Sequence, residues 1–172
     1  LATSSSFLPK RVLKISRRVR WVSNLGILAI NNIVLKILFP ILAVGLATLL
    51  PQHGWGILNI VNVPFWLAFI IAVVALDLGI FVQHFAFHKI PLLWRMHQVH
   101  HSDPEFDLTT GLRFHPFEII FSMIVKLVLI FLIGPHASVV LIFEIVLNAS
   151  SMFNHSNVRI EKKSDELLRY FL

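Results

Sequence analysis

The sequence predicts an all-α integral membrane protein, a bundle of about four transmembrane helices with a histidine-rich helical cap on the cytoplasmic side. Three observations support this fold class. The chain of 172 residues is 56% hydrophobic and 14% charged, and its mean hydropathy of +0.78 is above that of soluble domains. It contains four long apolar stretches, and most of its nine histidines fall near the ends of these stretches.

The four apolar stretches define the expected spans. A helix needs about 20 residues to cross a hydrocarbon core of roughly 30 Å. The third and fourth stretches are shorter and are separated only by "GPH", which predicts a tight helical hairpin. Pro40 is expected to kink the first span. No Gly/Ser-rich linker interrupts the chain, so residues 1–172 are expected to form one domain. The stretches run from about 26 to 50, 64 to 82, 117 to 133 and 137 to 153.

The charge distribution predicts the orientation of the chain. The net charge of +6 comes entirely from an N-terminal arm, because the other nine basic residues balance the nine acidic ones. Such an arm beside an apolar segment is typical of a cytoplasmic topology signal that also contacts anionic lipid. No nucleic-acid recognition motif accompanies the arm, so we do not expect nucleic acid as a partner. The arm consists of Lys10, Arg11, Lys14, Arg17, Arg18 and Arg20.

This orientation sorts the histidines into two groups. With the arm in the cytoplasm, His53 and His136 fall in the two outer turns. The basic residues Arg159, Lys162, Lys163 and Arg169 fall on the cytoplasmic side, as the positive-inside rule requires. We therefore expect a multi-pass protein with a cytoplasmic histidine site. The seven histidines expected at or beyond cytoplasmic helix ends are His84, His88, His97, His100, His101, His115 and His155.

Histidine spacing indicates metal binding. His84 and His88 are four residues apart, and the histidines of "HQVHH" (97–101) are three and four apart, so in helices each set projects from one face. The chain has no cysteine, which leaves nitrogen and oxygen ligands for iron, copper, zinc or nickel. Asp77 precedes His84 by seven residues and is predicted to accept the ring N–H of a ligating histidine. His115 and His155 are single residues that only the topology places near the site.

Four motifs resemble those of the fatty acid hydroxylase and sterol desaturase superfamily of membrane non-haem diiron enzymes. The motifs are "HFAFH" (84–88), "HQVHH" (97–101), "LRFHPFE" (112–118) and "FNHSN" (153–157). The three residues between the histidines of the first motif favour a hydroxylase, since the similar acyl-CoA desaturases usually have four. The resemblance implies a pair of irons that activates O2 and oxidises an unactivated C–H bond of a lipid, with electrons from a separate donor protein.

The resemblance also implies residue roles. His115 and Glu118 would be ligands or would contact ligands, and Asn157 would lie beside the ligand rings. The third family box, a second HxxHH, is absent before the chain stops at "ELLRYFL". Two irons need roughly eight to ten ligands. We therefore expect a fragment, truncated at the C-terminus, that alone holds an incomplete and inactive site. The iron ligands implied by position are His84, His88, His97, His100, His101 and His155.

Two functional classes remain open at this stage. The first is a diiron lipid hydroxylase or desaturase, because a lipid C–H bond offers nothing to acid–base or nucleophilic catalysis. The second is a non-catalytic or transport-related histidine-rich membrane protein that binds metal. A transporter is expected to place its ligands near the bilayer midplane. Here the clusters lie at span ends, and only Lys36, Lys126 and Glu144 are expected to lie deep within the spans. The lipid, and the choice between hydroxylation, desaturation and ether cleavage, stay undetermined.

Overall fold

The computed structural model describes residues 15–160 and residue 166. The regular structure of this part of the chain is helical. It comprises α1 (Arg17–Leu38), α2 (Ala43–His53), the single turn α3 (Ile57–Ile60), α4 (Phe65–Lys89), α5 (Pro91–His101), the 3-10 helix η1 (Thr110–Leu112), α6 (Pro116–Ile133) and α7 (Ala137–Asn154).

Four segments of the described chain are long and apolar enough to cross a membrane. Their side chains are mostly exposed, as expected for helices whose outer faces meet lipid tails instead of water. The predicted all-α class with four spans is therefore confirmed. The segments are Arg17–Ile60, Phe65–Lys89, Pro116–Ile133 and Ala137–Asn154.

The first span is interrupted at Pro40 where the sequence suggested only a kink. α1 ends at Leu38, and α2 does not begin until Ala43. Proline has no N–H to donate, and its ring clashes with the carbonyl of the preceding turn, so a helix ends readily before it. The break lets α1 pack against α6 and η1, whereas α2 packs between α6 and α7.

The apolar core joins α2, α4, α6 and α7. α2 contributes Ala43 and Ala47 on one face, and these small side chains allow its backbone to approach the neighbouring helices closely. Leu76 and Ile130 bring α4 and α6 into the same cluster. This core holds the spans together below the outer turns, and its members are Ala43, Ala47, Leu50, Leu76, Ile130, Val140 and Phe143.

The outer turns meet at one end of the bundle. Gly56 and Gly134 both have positive φ, and a Cβ on Gly56 would lie 2.3 Å from the Cα of Gly134, so only glycine fits this contact. His53 stacks on Trp55 with ring centroids 4.8 Å apart, and His136 lies edge-on to Phe65 at 5.9 Å. His53 and His136 therefore occupy the end where the first and second spans meet the hairpin turn.

The opposite end carries the cap. α4 ends at Lys89, and a single residue separates it from α5, which begins at Pro91, a position that suits proline because the first helical N–H needs no partner. α5 packs against α4 and α6, while η1 packs against α1 and α7. The short α4–α5 connection brings the histidines of both helices to the same place.

Candidate metal centre

Six histidines converge at the cap. His84 and His88 come from the last turns of α4, and their Nε2 atoms are 3.2 Å apart. His97 and His101 come from α5, with their Nε2 atoms also 3.2 Å apart. The structure thus brings together side chains that the sequence places in separate motifs, namely His84, His88, His97, His100, His101 and His155.

His155 joins the cluster from the far end of the chain. It lies at the C-cap of α7, and its Nε2 is 3.0 Å from Nε2 of His100, which is 55 residues away in sequence. His97 lies at the centre, because its ring is within 5.3 Å of the rings of four other histidines. The cluster is therefore continuous from α4 through α5 to α7.

One trio already has the spacing of a metal site. One ligand atom each from His84, His88 and His97 lie within 4.8 Å of one another. His97 is fully buried, whereas His84 and His88 are exposed. Three imidazoles on one side of an accessible position can hold an ion and leave room for another ligand.

Hydrogen bonds at Nδ1 fix the orientation of three histidine rings. His97 Nδ1 lies 2.7 Å from Glu118 Oε1, and His155 Nδ1 lies 2.7 Å from the carbonyl oxygen of Ser151. His100 Nδ1 lies 3.2 Å from the carbonyl oxygen of Arg113. Carbonyl and carboxylate oxygens only accept, so Nδ1 carries the proton in each ring. The lone pair is left on Nε2, which is the atom that faces the other histidines.

Burial and neighbouring histidines lower the pKa of two cap histidines, His100 and His101. Burial of His100, followed by the neighbouring His155 and His97, lowers its pKa to about 3. Burial, followed by His97 and His88, also lowers the pKa of His101. Neutral imidazole is the form that ligates a metal, so both side chains have the required form at neutral pH.

The chemistry of the cluster fits iron. Its donors are imidazole nitrogens with a nearby carboxylate, a set that suits iron and other transition metals and does not suit magnesium or calcium. Glu118 is buried, and its Oε2 has no hydrogen-bond partner among the described residues. A buried carboxylate oxygen without a donor is costly unless a cation compensates its charge. The cluster therefore has both the ligands and the uncompensated charge of a metal site.

Aromatic side chains enclose the cluster. Phe114 stacks on His100 with parallel rings 4.6 Å apart. Trp94 contacts the rings of His88 and His101, at 5.4 and 5.5 Å. Phe87 is completely buried beside His97. These contacts hold the rings in place and exclude water from one side of the site.

Two other predicted site residues, His115 and Asp77, lie apart from the six histidines. The His115 ring caps α6 by accepting the N–H of Phe117 and stacks on that residue, and none of its described contacts is with another histidine. Asp77 is exposed on α4, two turns and roughly 10 Å along the helix from His84. Asn157 is buried and follows His155 by two residues.

Arg20 lies in a buried ionic network and not in the lipid-contacting arm that its sequence neighbours predict. The Arg20 guanidinium donates twice to the Asp103 carboxylate, at 2.9 Å each, and lies 2.9 Å from Asp107. Burial would raise the pKa of Asp103, but hydrogen bonds from Arg20, Thr110 and Asn24 outweigh it and lower the pKa to about 2. The acidic run "DPEFD" (103–107) directly after "HQVHH" was the available signal.

Arg113 connects this network to the ligands. Its side chain donates to the carbonyl oxygen of Val99 at 2.9 Å and to Asn24 Oδ1 at 3.0 Å, while its own carbonyl oxygen accepts from His100. Asn24 also donates to Asp103 and to Thr109. Helix α1 therefore fixes the loop that orients His100, although it contributes no histidine of its own.

Comparison with known families agrees with this site. The family model described as fatty acid hydroxylase matches residues 69–171, which is more than half of the chain and contains all six converging histidines. No solved structure matches the chain. The resemblance drawn from the four motifs is confirmed by this match. The chain belongs to the fatty acid hydroxylase family, within the fatty acid hydroxylase and sterol desaturase superfamily.

Proposed function

We propose that this protein is a membrane oxidoreductase in which a non-haem diiron centre uses O2 to hydroxylate or desaturate a C–H bond of a fatty acyl or sterol-like lipid. Family membership indicates a function of the lipid hydroxylase or desaturase type. The proposal of a diiron centre rests on the convergence of six histidines at one end of four apolar spans. Irons held at this end would lie where a lipid chain could reach them from the bilayer.

We propose two iron ions because pairs of neighbouring Nε2 atoms occur along the whole cluster, from α4 through α5 to α7. His84, His88, His97 and His101 form one group, and the His100–His155 pair extends it on the other side. These six would hold the irons, with His115 and Glu118 as further ligands or ligand contacts and Asn157 beside them. The irons would supply the redox chemistry that no acid–base side chain offers for an unactivated C–H bond.

The chain's own residues would hold and shield the ligands. Glu118 keeps the proton of His97 on Nδ1, and the carbonyl oxygens of Arg113 and Ser151 do the same for His100 and His155. Phe87 packs beside His97 and edge to face against Phe121, whose exposed ring would offer an apolar surface to a lipid chain. The electrons would come from a separate donor protein. Because α1 is tied to the ligand-bearing loop, we propose that residues 1–172 act as one domain.

The transport-related alternative is disfavoured by the deep charges. Lys126 and Glu144 lie in the middle of α6 and α7, and they pair with each other at 2.6 Å. A transporter is expected to keep such groups available for its substrate near the midplane. Here the pair links two helices, and the other two deep charges, Lys36 and Asp77, are exposed on the outer surface of the spans. The candidate ligands lie at the helix ends instead of near the midplane.

The proposed activity is tested by isotope incorporation. The intact protein would be expressed in host membranes and supplied with ¹⁸O2, and the lipids would be analysed by mass spectrometry. We expect a lipid that gains one ¹⁸O atom or loses two hydrogens, in a product that is absent from cells expressing the His84→Ala variant. An iron-loaded protein with an active host reductase and no altered lipid would contradict the proposal.

Membrane orientation gives a separate prediction. We propose that the histidine site faces the cytoplasm, because the basic arm precedes the first span and the later basic residues follow the last one. A label attached near His53 or His136 should be accessible from the non-cytoplasmic side, and one near His101 from the cytoplasm. Accessibility of His101 and His136 from the same side would contradict four spans in this orientation.

Glu118 is expected to act as a positioning residue. Glu118→Gln keeps the size of the side chain but removes the charge that faces His97 Nδ1, so iron affinity should fall by about 10- to 100-fold. Iron retention during titration with a chelator measures this loss, with Glu166→Gln as the control for removing an exposed carboxylate elsewhere in the chain. Unchanged iron affinity in Glu118→Gln would show that the carboxylate does not act on the metal site.

A further inference from the structure

Four charged side chains lie deep within the spans of the described chain, one more than the sequence predicts, because the helix Phe65–Lys89 places Asp77 at its middle. Only two of the four are paired. Lys126 and Glu144 neutralise each other between α6 and α7. Lys36, on α1, and Asp77, on α4, are both exposed, and neither has a hydrogen bond or an ion pair with any residue from 15 to 160. These two opposite charges therefore remain on the outer surface of the spans.

Asp77 occupies the most unfavourable position for an unpaired charge. It lies twelve residues from each end of α4, between Phe65 and Lys89. The exposed side chains around it are apolar, including Val74, Leu78 and Phe81. A charge at the centre of a membrane helix costs about 2.5–3.5 kcal/mol on insertion scales, so such residues rarely face lipid and usually pair with another polar or charged group.

Lys36 lies at a similar depth. Asn31 of α1 donates to the carbonyl oxygen of Phe114, whose ring stacks on His100. Lys36 is five residues further along α1, roughly 7–8 Å above this level. Asp77 is seven residues, roughly 10 Å, above His84 on α4. The lysine side chain is long enough to bridge this small difference in depth between Lys36 and Asp77.

We propose that two copies of this chain associate within the membrane through an ion pair between Asp77 of one copy and Lys36 of the other. The two charges are complementary in sign and similar in depth, and α6 packs against both helices that carry them. A two-fold dimer contains such a pair twice, because each copy offers both partners. The surrounding apolar side chains, such as Ile33, Ile37 and Val74, would form the rest of the interface.

Charge reversal tests the pairing in the intact protein. Two differently tagged copies would be co-expressed, and co-purification from membranes would be measured. Asp77→Lys in both copies, or Lys36→Asp in both, should lower co-purification by about tenfold, the equivalent of about 1.4 kcal/mol. The double variant, carrying both reversals, should restore it. Unchanged co-purification in the single variants, or no recovery in the double variant, would overturn the proposal.

A second measurement keeps the native charges. The chain contains no cysteine, so introduced cysteines are the only thiols within it. Ile33→Cys in one tagged copy and Phe81→Cys in the other place exposed thiols about one turn below Lys36 and Asp77. A short bifunctional maleimide should cross-link this combination and not Ile33→Cys with Ile145→Cys, which is exposed on α7. Equal cross-linking of both combinations, or none of the first, would overturn the proposal even if the charge variants fail to insert.

Discussion

The His97→Ala variant of the intact protein is expected to lose bound iron and lipid oxidation almost completely. His97 is fully buried, and its ring contacts those of His84, His88, His100 and His101. Removing it takes away the central imidazole and leaves the Glu118 carboxylate buried without its partner. A redox step needs every ion correctly held, so the effect should be far larger than that of losing one surface ring.

Metal analysis and product formation, normalised to the amount of inserted protein, measure this effect. His136→Ala is the matched control, because His136 lies at the opposite end of the bundle and caps α7 through Ser138. His84→Ala removes an exposed ring of the same cluster. This variant distinguishes the loss of a metal ligand from a packing defect caused by removing the buried His97 ring. Wild-type iron and turnover in both cluster variants would contradict the diiron proposal.

The second large effect is expected at Arg20. Arg20→Ala should destabilise the cap by about 3–5 kcal/mol, because it leaves the buried carboxylates of Asp103 and Asp107 without their cation. Detachment of the loop should also disturb His100, which is held by the Arg113 carbonyl oxygen next to this network. We therefore expect loss of stability and of iron together.

Hydrogen exchange over residues 102–112 and denaturant titration in detergent measure this change. Arg18→Ala is the control, since Arg18 belongs to the same basic arm but is exposed, and it should change stability by about 0.5 kcal/mol or less. Equal effects of the two substitutions would mean that Arg20 acts only as one more charge of the arm.

Acidity should act on the same network. The folded-state pKa of Asp103 is lowered to about 2, so its contribution to stability is present above the unfolded pKa of about 4 and is lost as pH falls towards 2. The Asp103→Asn variant should show less loss of loop protection over this pH range than the wild type. The same hydrogen-exchange measurement, repeated across this range, detects the difference.

The sequence by itself determined the class of the protein and most of the candidate ligands. Hydropathy over about 20 residues is a local property, so the four spans were visible without any knowledge of packing. The spacings within "HFAFH" and "HQVHH" are also local, since a helix places residues three and four apart on one face whatever surrounds it. Together with "LRFHPFE" and "FNHSN", these patterns identified the family, which the family model confirmed.

The tertiary structure decided which local faces meet. His100 and His155 are 55 residues apart, and Arg20 and Asp103 are 83 apart, so no local pattern pairs them. Arg20 resembles the other charges of its arm in sequence and differs only because α1 packs against the loop that carries Asp103. Asp77 shares a helix face with His84, but the rise of the helix puts the two side chains roughly 10 Å apart. Helical periodicity fixes the direction of a side chain, whereas its partner depends on packing between distant segments, which only the folded chain contains.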